Sequence, residues 1–401
     1  MNVNVVIVGH VDHGKSTLIG RLLYDSDSIT EGRIEEIQKL AEEYKRRFEF
    51  AYFLDSFDDE LKEERTIDTT GVMFKGKNNY SVTDVPGHKE FIKNMLTGAS
   101  HADVAVLVVA VDEGIQEQTG RHAFLINMLG IEKLFVVINK MDAMDYKKET
   151  FEAIKSDVSK LLDSFGYLNL TFIPVSAMEG DNIYKPSGQM EWYGGPTLIE
   201  ALDSVEINKE VKPLRFAVQD TYDVDSEKVV VGRVESGTLR KGDDVIFQPS
   251  GIRGKIKKIK VFHDELQQAE EGDSIGIVLD KEIKRGDVCG LVETPPVPVK
   301  EFLGEAVLLE KNLSKGDTLE LRCGTRKVNC KIKEIREKIN SETGEVMEKQ
   351  PLAIGEHEAA TIVFATEPLV VEKFSDIPEL GRFVLVKNKN IGAGVVLETA
   401  V

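Results

Sequence analysis

The chain has 401 residues, with 51 Lys+Arg against 69 Asp+Glu, a formal net charge of -18 and a hydrophobic fraction of 41%. At roughly 100–200 residues per domain this is two or three globular domains. Its ordinary apolar content and three cysteines (Cys289, Cys323, Cys330) exclude disorder, collagen-like repetition and a disulfide scaffold and point to a reducing cytosol. No window approaches the roughly 20 apolar residues of a membrane span, and the start lacks a signal peptide's basic region. The acidity weighs mildly against non-specific binding to nucleic acid or anionic membranes, though a local basic patch could still exist.

Up to about residue 205, short β-branched runs alternate with longer helical patterns. The strands expected are Asn4 to Val8, Tyr80 to Thr83, Val104 to Val111, Leu134 to Asn139 and Thr171 to Val175, and their spacing by helices predicts a parallel sheet covered on both faces. After the first strand, Gly9-His10-Val11-Asp12-His13-Gly14-Lys15-Ser16 fits G-x-x-x-x-G-K-[ST], with a helix expected from Thr17. Glycines there let backbone N–H groups wrap phosphate oxygens, Lys15 reaches the β/γ-phosphates and the Ser16 hydroxyl serves Mg²⁺. The charged stretch from Arg33 to Phe48 has apolar residues at helical spacing and reads as an inserted helical hairpin.

Asp84-Val85-Pro86-Gly87-His88 follows the second expected strand. A carboxylate in that place can hold Mg²⁺ through water, and Gly87 lets a backbone N–H approach the γ-phosphate. Asn139-Lys140-Met141-Asp142 closes the fourth and selects the base. The Asp142 carboxylate can accept from both N1–H and the 2-amine of guanine, and adenine offers neither, so a buried carboxylate would be left unpaired. Asn139 is expected to tie this loop to the phosphate loop, and the Lys140 stem to lie on the base. Ser176-Ala177-Met178 is expected to supply a backbone N–H to guanine O6.

Beyond Asp203 the texture changes to short alternating runs punctuated by Gly and Asp, such as Val229 to Val234, Gly242 to Phe247 and Ser274 to Leu279, which predict a small β-barrel. A Pro-rich joint, Thr294 to Pro298, opens a second all-β segment. The domains expected are 1–205, 206–298 and 299–401. Arg253 to Lys260 is basic but interleaved with isoleucine, the pattern of a strand with one wet face. Cys323 and Cys330 flank an expected hairpin around Gly324 and lack metal-site spacing.

These motifs, with Thr66 in Arg65-Thr66-Ile67-Asp68, resemble the G-motifs of the translation-factor class of GTPases, an α/β P-loop GTPase domain followed by two β-barrels. The resemblance implies GTP/GDP and Mg²⁺ as ligands, Thr66 as the switch-I threonine beside Ser16 and Asp84 at the metal, His88 positioning the attacking water, and Val11 in an apolar gate near it. Within the class, the insertion before Thr66 together with Gly180-Asp181-Asn182, Trp192-Tyr193 and Gly194 to Leu198 looks like elongation factor 1-alpha and the GTPase subunit of heterodimeric ATP sulfurylase. Stretches beyond residue 205, among them Gln248-Pro249-Ser250-Gly251, Phe262 to Asp273 and Lys281 to Asp287, resemble the sulfurylase subunit more. That implies a GTP-hydrolysing cytoplasmic subunit partnered by a small catalytic subunit that acts on ATP and sulfate. The alternative is an elongation-factor-1-alpha-like GTPase delivering aminoacyl-tRNA. One departure stands out: Glu64-Arg65 replaces the usual Gly-Ile before the switch threonine, which leaves either a solvated loop or an arginine supplying transition-state charge in cis.

Overall fold

Uninterrupted runs of valine, isoleucine and leucine suit strands buried on both faces, and in the first half of the chain they form the middle of a parallel sheet. The computed structural model describes residues 2–43, 49–54, 70–84, 102–206, 211–224, 227–262 and 264–399. It divides into two units, Met1–Ile207 with Ser341–Glu345 and Asn208–Asn340 with Val346–Val401.

In the first unit the strands are β1 (Asn2–Gly9), β2 (Thr70–Lys75), β3 (Asn79–Asp84), β4 (Val104–Ala110), β5 (Leu134–Asn139) and β6 (Thr171–Pro174), in the sheet order β2-β3-β1-β4-β5-β6 among the described residues. All neighbours are parallel except β2 and β3. Every residue of β4 is buried. The register sets Ile7 beside Asp84, Gly9 beside Val108, Ala110 beside Asn139 and Ile138 beside Pro174. The strand-end loops therefore leave along one edge. Because β1 has β3 on one side and β4 on the other, this edge holds the crevice where open α/β sheets take ligands.

The helices are α1 (Lys15–Asp25), α2 (Glu31–Glu43), α3 (Glu117–Met128), α4 (Lys148–Ser164) and α5 (Leu198–Asp203). α1 buries Leu18, Ile19, Leu22 and Leu23, and α4 buries Phe151, Val158 and Leu162, one stripe of each helix. α5 begins with a reciprocal cap in which Glu200 N–H donates to Thr197 Oγ1 (3.3 Å) and Thr197 N–H to Glu200 Oε2 (2.8 Å). It is pinned to β3 by the Tyr80 hydroxyl donating to Asp203 at 2.6 Å.

Two local expectations change, and a third lies partly outside the described residues. β2 was not foreseen, because Phe74 is buried while its neighbour Met73 is apolar yet 69% exposed, which erases the alternation of an edge strand. The first helix starts at Lys15 rather than Thr17. Of the expected hairpin only α2 is seen, since residues 44–48 lie outside the described set.

In the second unit the segment Arg215 to Leu291 forms, among the described residues, an eight-stranded sheet with a two-stranded companion around Phe216, Val230, Phe247 and Ile277. Pro298 to Glu398 forms a seven-stranded sheet in which Thr318–Cys323 pairs with both Arg326–Ile339 and Arg382–Lys387, closing a barrel around Phe302, Phe364 and Phe383. The two are joined by Arg215, whose Nε donates to Glu372 at 2.5 Å, and by the Thr325 hydroxyl donating to Val218 O at 2.7 Å. The basic run lies on strands Ile252–Lys255 and Lys258–Val261 with Ile256 and Ile259 buried. Its lysines pair with Asp244, Asp280, Glu227 and Glu265, so it is a self-neutralised wet face. Cys323 and Cys330 are buried strand residues.

Candidate nucleotide-binding site

The loop from Gly9 to Ser16 leaves β1 and turns directly into α1. Gly14 is the N-cap, with φ 85°, a left-handed conformation natural to glycine. A Cβ there would also collide with the Asn139 side-chain nitrogen. The first turn of α1 presents backbone N–H groups that the helical ladder cannot use, together with the positive end of the helix dipole. Lys15 is only 8% exposed, and its ammonium donates to Gly9 O at 2.9 Å and His10 O at 2.7 Å. It thus lies over the loop, able to exchange neutral carbonyl acceptors for phosphate oxygens. Ser16 and Thr17 sit in the first turn of α1, Val11 is half-buried, and Asp12 takes φ 61° at the exposed bend.

Beneath this loop is a group of histidines that the motif did not announce. His13 is fully buried; its Nδ1–H donates to Val108 O at 3.2 Å, and its Nε2 lies 3.7 Å from Glu113 Oε2. His10 packs edge-on against it at 5.2 Å. Burial drives His13 down to about 4 despite the Val108 bond and Glu113. It drives His122 of α3 down to about 3, with the charges of Lys15, His10, His13 and Arg121 acting in the same direction. Both imidazoles are therefore neutral near pH 7.

Asn139 ends β5 and is 2% exposed. Its Nδ2 donates to His13 O at 2.9 Å, and its Oδ1 accepts from Ala177 N–H at 3.0 Å. One amide thus staples the phosphate loop to the Ser176 to Met178 loop, and the expected tie extends further than the sequence suggested. The Ala177 N–H is already used by Asn139, and the Met178 N–H is the one with no hydrogen bond among the described residues. Ser176 is fully buried, its hydroxyl accepting from Glu179 N–H at 3.2 Å. Arg21 of α1 supports the loop from behind by donating to Met178 O at 3.3 Å.

Lys140, with φ 63°, caps a 3-10 turn, Met141–Met144, that carries Asp142. The Lys140 ammonium pairs with Glu113 at 3.2 Å and lies 3.7 Å from Asp112. Its stem is partly exposed along this edge. Asp142 is exposed and its carboxylate accepts no hydrogen bond among the described residues, so it is aimed by its backbone alone. Asp84 closes β3 opposite Ile7. Thr66, Gly87 and His88, together with Glu64 and Arg65, lie outside the described residues.

A strand–loop–helix cradle of phosphate-loop sequence, with the Asn139 to Asp142 and Ser176 to Met178 loops on the same sheet edge, defines a P-loop nucleotide-binding domain, here followed by β-barrels. Residues 1–208 match the family model described as elongation factor Tu GTP binding domain, 227–290 match elongation factor Tu domain 2, and 304–397 match a GTP-eEF1A C-terminal domain-like model. The chain belongs to this family, the translation-factor class of GTPases. It is 44% identical to elongation factor 1-alpha of Archaeoglobus fulgidus, covering 99% of this chain and 97% of that one. It is also 44% identical to elongation factor 1-alpha of Methanothrix thermoacetophila, covering 96% and 94%. A crystal structure of Sup35 complexed with GMPPNP is 25% identical over 100% of this chain and 94% of its own, with a TM-score of 0.47. The likeness of the barrels to the ATP sulfurylase subunit gains no support from these relatives. Among the described residues no helix is long and apolar enough to cross a membrane.

Proposed function

We propose that this chain is a cytoplasmic GTPase of the elongation factor 1-alpha type, binding aminoacyl-tRNA in its GTP form and releasing it on hydrolysis at the ribosome. The observation that carries this reading is the run of similarity to elongation factors 1-alpha along nearly the whole chain, barrels included. It reverses the order of the two functions expected from sequence. The sulfurylase reading, with a small catalytic partner acting on ATP and sulfate, rests only on the barrel stretches quoted above.

In this proposal the domains are 1–205, 206–298 and 299–401. Gly9 to Thr17 surround the phosphates and Lys15 moves from the loop carbonyls to the β/γ-phosphate oxygens. The donor set fits Mg²⁺, a hard cation that takes oxygens: Ser16 offers a hydroxyl in the first turn of α1, and Thr66 and Asp84 would complete the protein's share. The ion would neutralise charge on the phosphates. His88 orients the attacking water and Gly87 contacts the γ-phosphate. Asp142 selects guanine, Asn139 holds its loop to the phosphate loop, and Ser176, Ala177 and Met178 form the wall facing O6. Switching follows from ordering of the Thr66 and Gly87 segments by the γ-phosphate and their release on hydrolysis.

The test is protection of the aminoacyl ester. The chain loaded with a non-hydrolysable GTP analogue should slow spontaneous deacylation of aminoacyl-tRNA, and the GDP form should not. Equal deacylation in both, with GTP turnover stimulated instead by a small ATP-binding partner, ATP and sulfate, would restore the sulfurylase reading.

A further inference from the structure

We propose that Trp192 is a positioning residue for guanine selection, holding the loop that carries Asp142 through its indole N–H. The proposal rests on the reading of Asp142 as the guanine-binding carboxylate and goes on to say what aims it. Trp192 is the only tryptophan in the chain, and its Nε1–H donates to Tyr146 O at 3.0 Å. Tyr146 closes the Asp142 loop: its own N–H donates to Met141 O at 2.9 Å, while inside the loop Ala143 N–H donates to Lys140 O at 3.0 Å and Asp145 N–H to Asp142 O at 3.3 Å.

Three side-chain-bearing residues of this loop, Lys140, Asp145 and Tyr146, take φ of 63°, 51° and 55°. L-residues adopt that region reluctantly, so the loop needs outside support to keep its shape. Support comes from a rigid seat. The indole packs on Phe151 of α4 at 5.4 Å and beside Tyr193 at 6.3 Å. Phe151 is buried, and the Tyr193 hydroxyl is itself fixed, donating to Phe172 O at 3.0 Å or Pro196 O at 3.1 Å. The Tyr146 phenol, pushed upward by burial and by the neighbouring Asp181 carboxylate, sets the loop against the segment that follows Ser176. Since the Asp142 carboxylate has no hydrogen bond of its own among the described residues, a loosened Tyr146 carbonyl passes directly into its aim.

The test uses Trp192→Phe, which keeps an aromatic ring on Phe151 and Tyr193 while removing the N–H donor and the indole's second ring; the melting temperature reads the lost packing. Equilibrium binding of GDP is compared with that of inosine diphosphate, which lacks the 2-amine, and of ADP. GDP affinity should fall by about five- to tenfold, the scale of one hydrogen bond, and the preference for GDP over inosine diphosphate should narrow while the melting temperature stays close to that of the parent. Equal losses for both nucleotides with a lowered melting temperature would make Trp192 a mere space-filler and overturn the proposal, as would unchanged binding. The parent protein supplies a second readout: GDP should shift Trp192 emission, and a silent indole at saturating GDP would contradict the proposal. Failure of the parent to prefer GDP over ADP would instead sink the guanine reading beneath it.

Discussion

Replacing Asn139 with alanine removes the amide that joins the two loops of the site. It leaves two buried groups, the His13 carbonyl and the Ala177 N–H, without the partners they now hold at 2.9 and 3.0 Å. Each unsatisfied buried backbone group costs about 1–3 kcal/mol. Relaxation and water will recover part of that, so a net loss near 2 kcal/mol is a conservative expectation, or about 30-fold in guanine-nucleotide affinity. Part of the cost falls on folding as well, because both bonds exist without nucleotide. Calorimetric titration with GDP, paired with a thermal melt, separates the two. Binding within threefold of the parent at an unchanged melting temperature would refute the claim that this amide organises the site.

Other outcomes follow from the same geometry. His13 and His122 have folded-state values near 4 and 3 against 6.5 unfolded, so the unfolded chain binds more protons as pH falls below 6.5. Stability should therefore drop from pH 7 to pH 5, by about 2 kcal/mol per histidine. Denaturant titrations at the two pH values on the parent and on His122→Asn check this, the variant showing the shallower slope. Asp142→Asn should weaken GTP binding about 10–100-fold and favour xanthosine triphosphate, whose C2 oxygen suits an amide donor; competition binding reads the exchange, and unaltered GTP affinity would place the base elsewhere. Gly14→Ala should cost roughly 1–3 kcal/mol of stability, from the left-handed conformation and the collision with Asn139 together. A melting temperature equal to the parent's would contradict the geometry.

The nucleotide loops were legible because each is a short string fixed to the end of an apolar strand, and strand ends are what uninterrupted valine and isoleucine runs declare most clearly. Asn139 could be read as a tie between loops, but its second bond, to Ala177, depends on where β6 ends and could not. Trp192 was seen only as part of a string; its contact with Tyr146 spans 46 residues and leaves no local pattern. The histidine pair was hidden for a similar reason, since burial of His122 depends on which face of α3 meets the phosphate loop. The preference for a sulfurylase subunit came from turns. Gly251, Gly272 and Gly286 lie in the quoted stretches with φ of 71°, 96° and 89°, and a turn of that shape favours glycine in any barrel that uses it. Such residues report backbone geometry and discriminate poorly between related families.

The measurement that bears most directly on the central claim is GTP turnover by the purified chain with and without programmed ribosomes and aminoacyl-tRNA. Stimulation by orders of magnitude, as when a partner completes a GTPase site, lost in Lys15→Ala, is the expected result. Turnover unmoved by ribosomes and charged tRNA, but raised by a small ATP-binding partner together with ATP and sulfate, would contradict it.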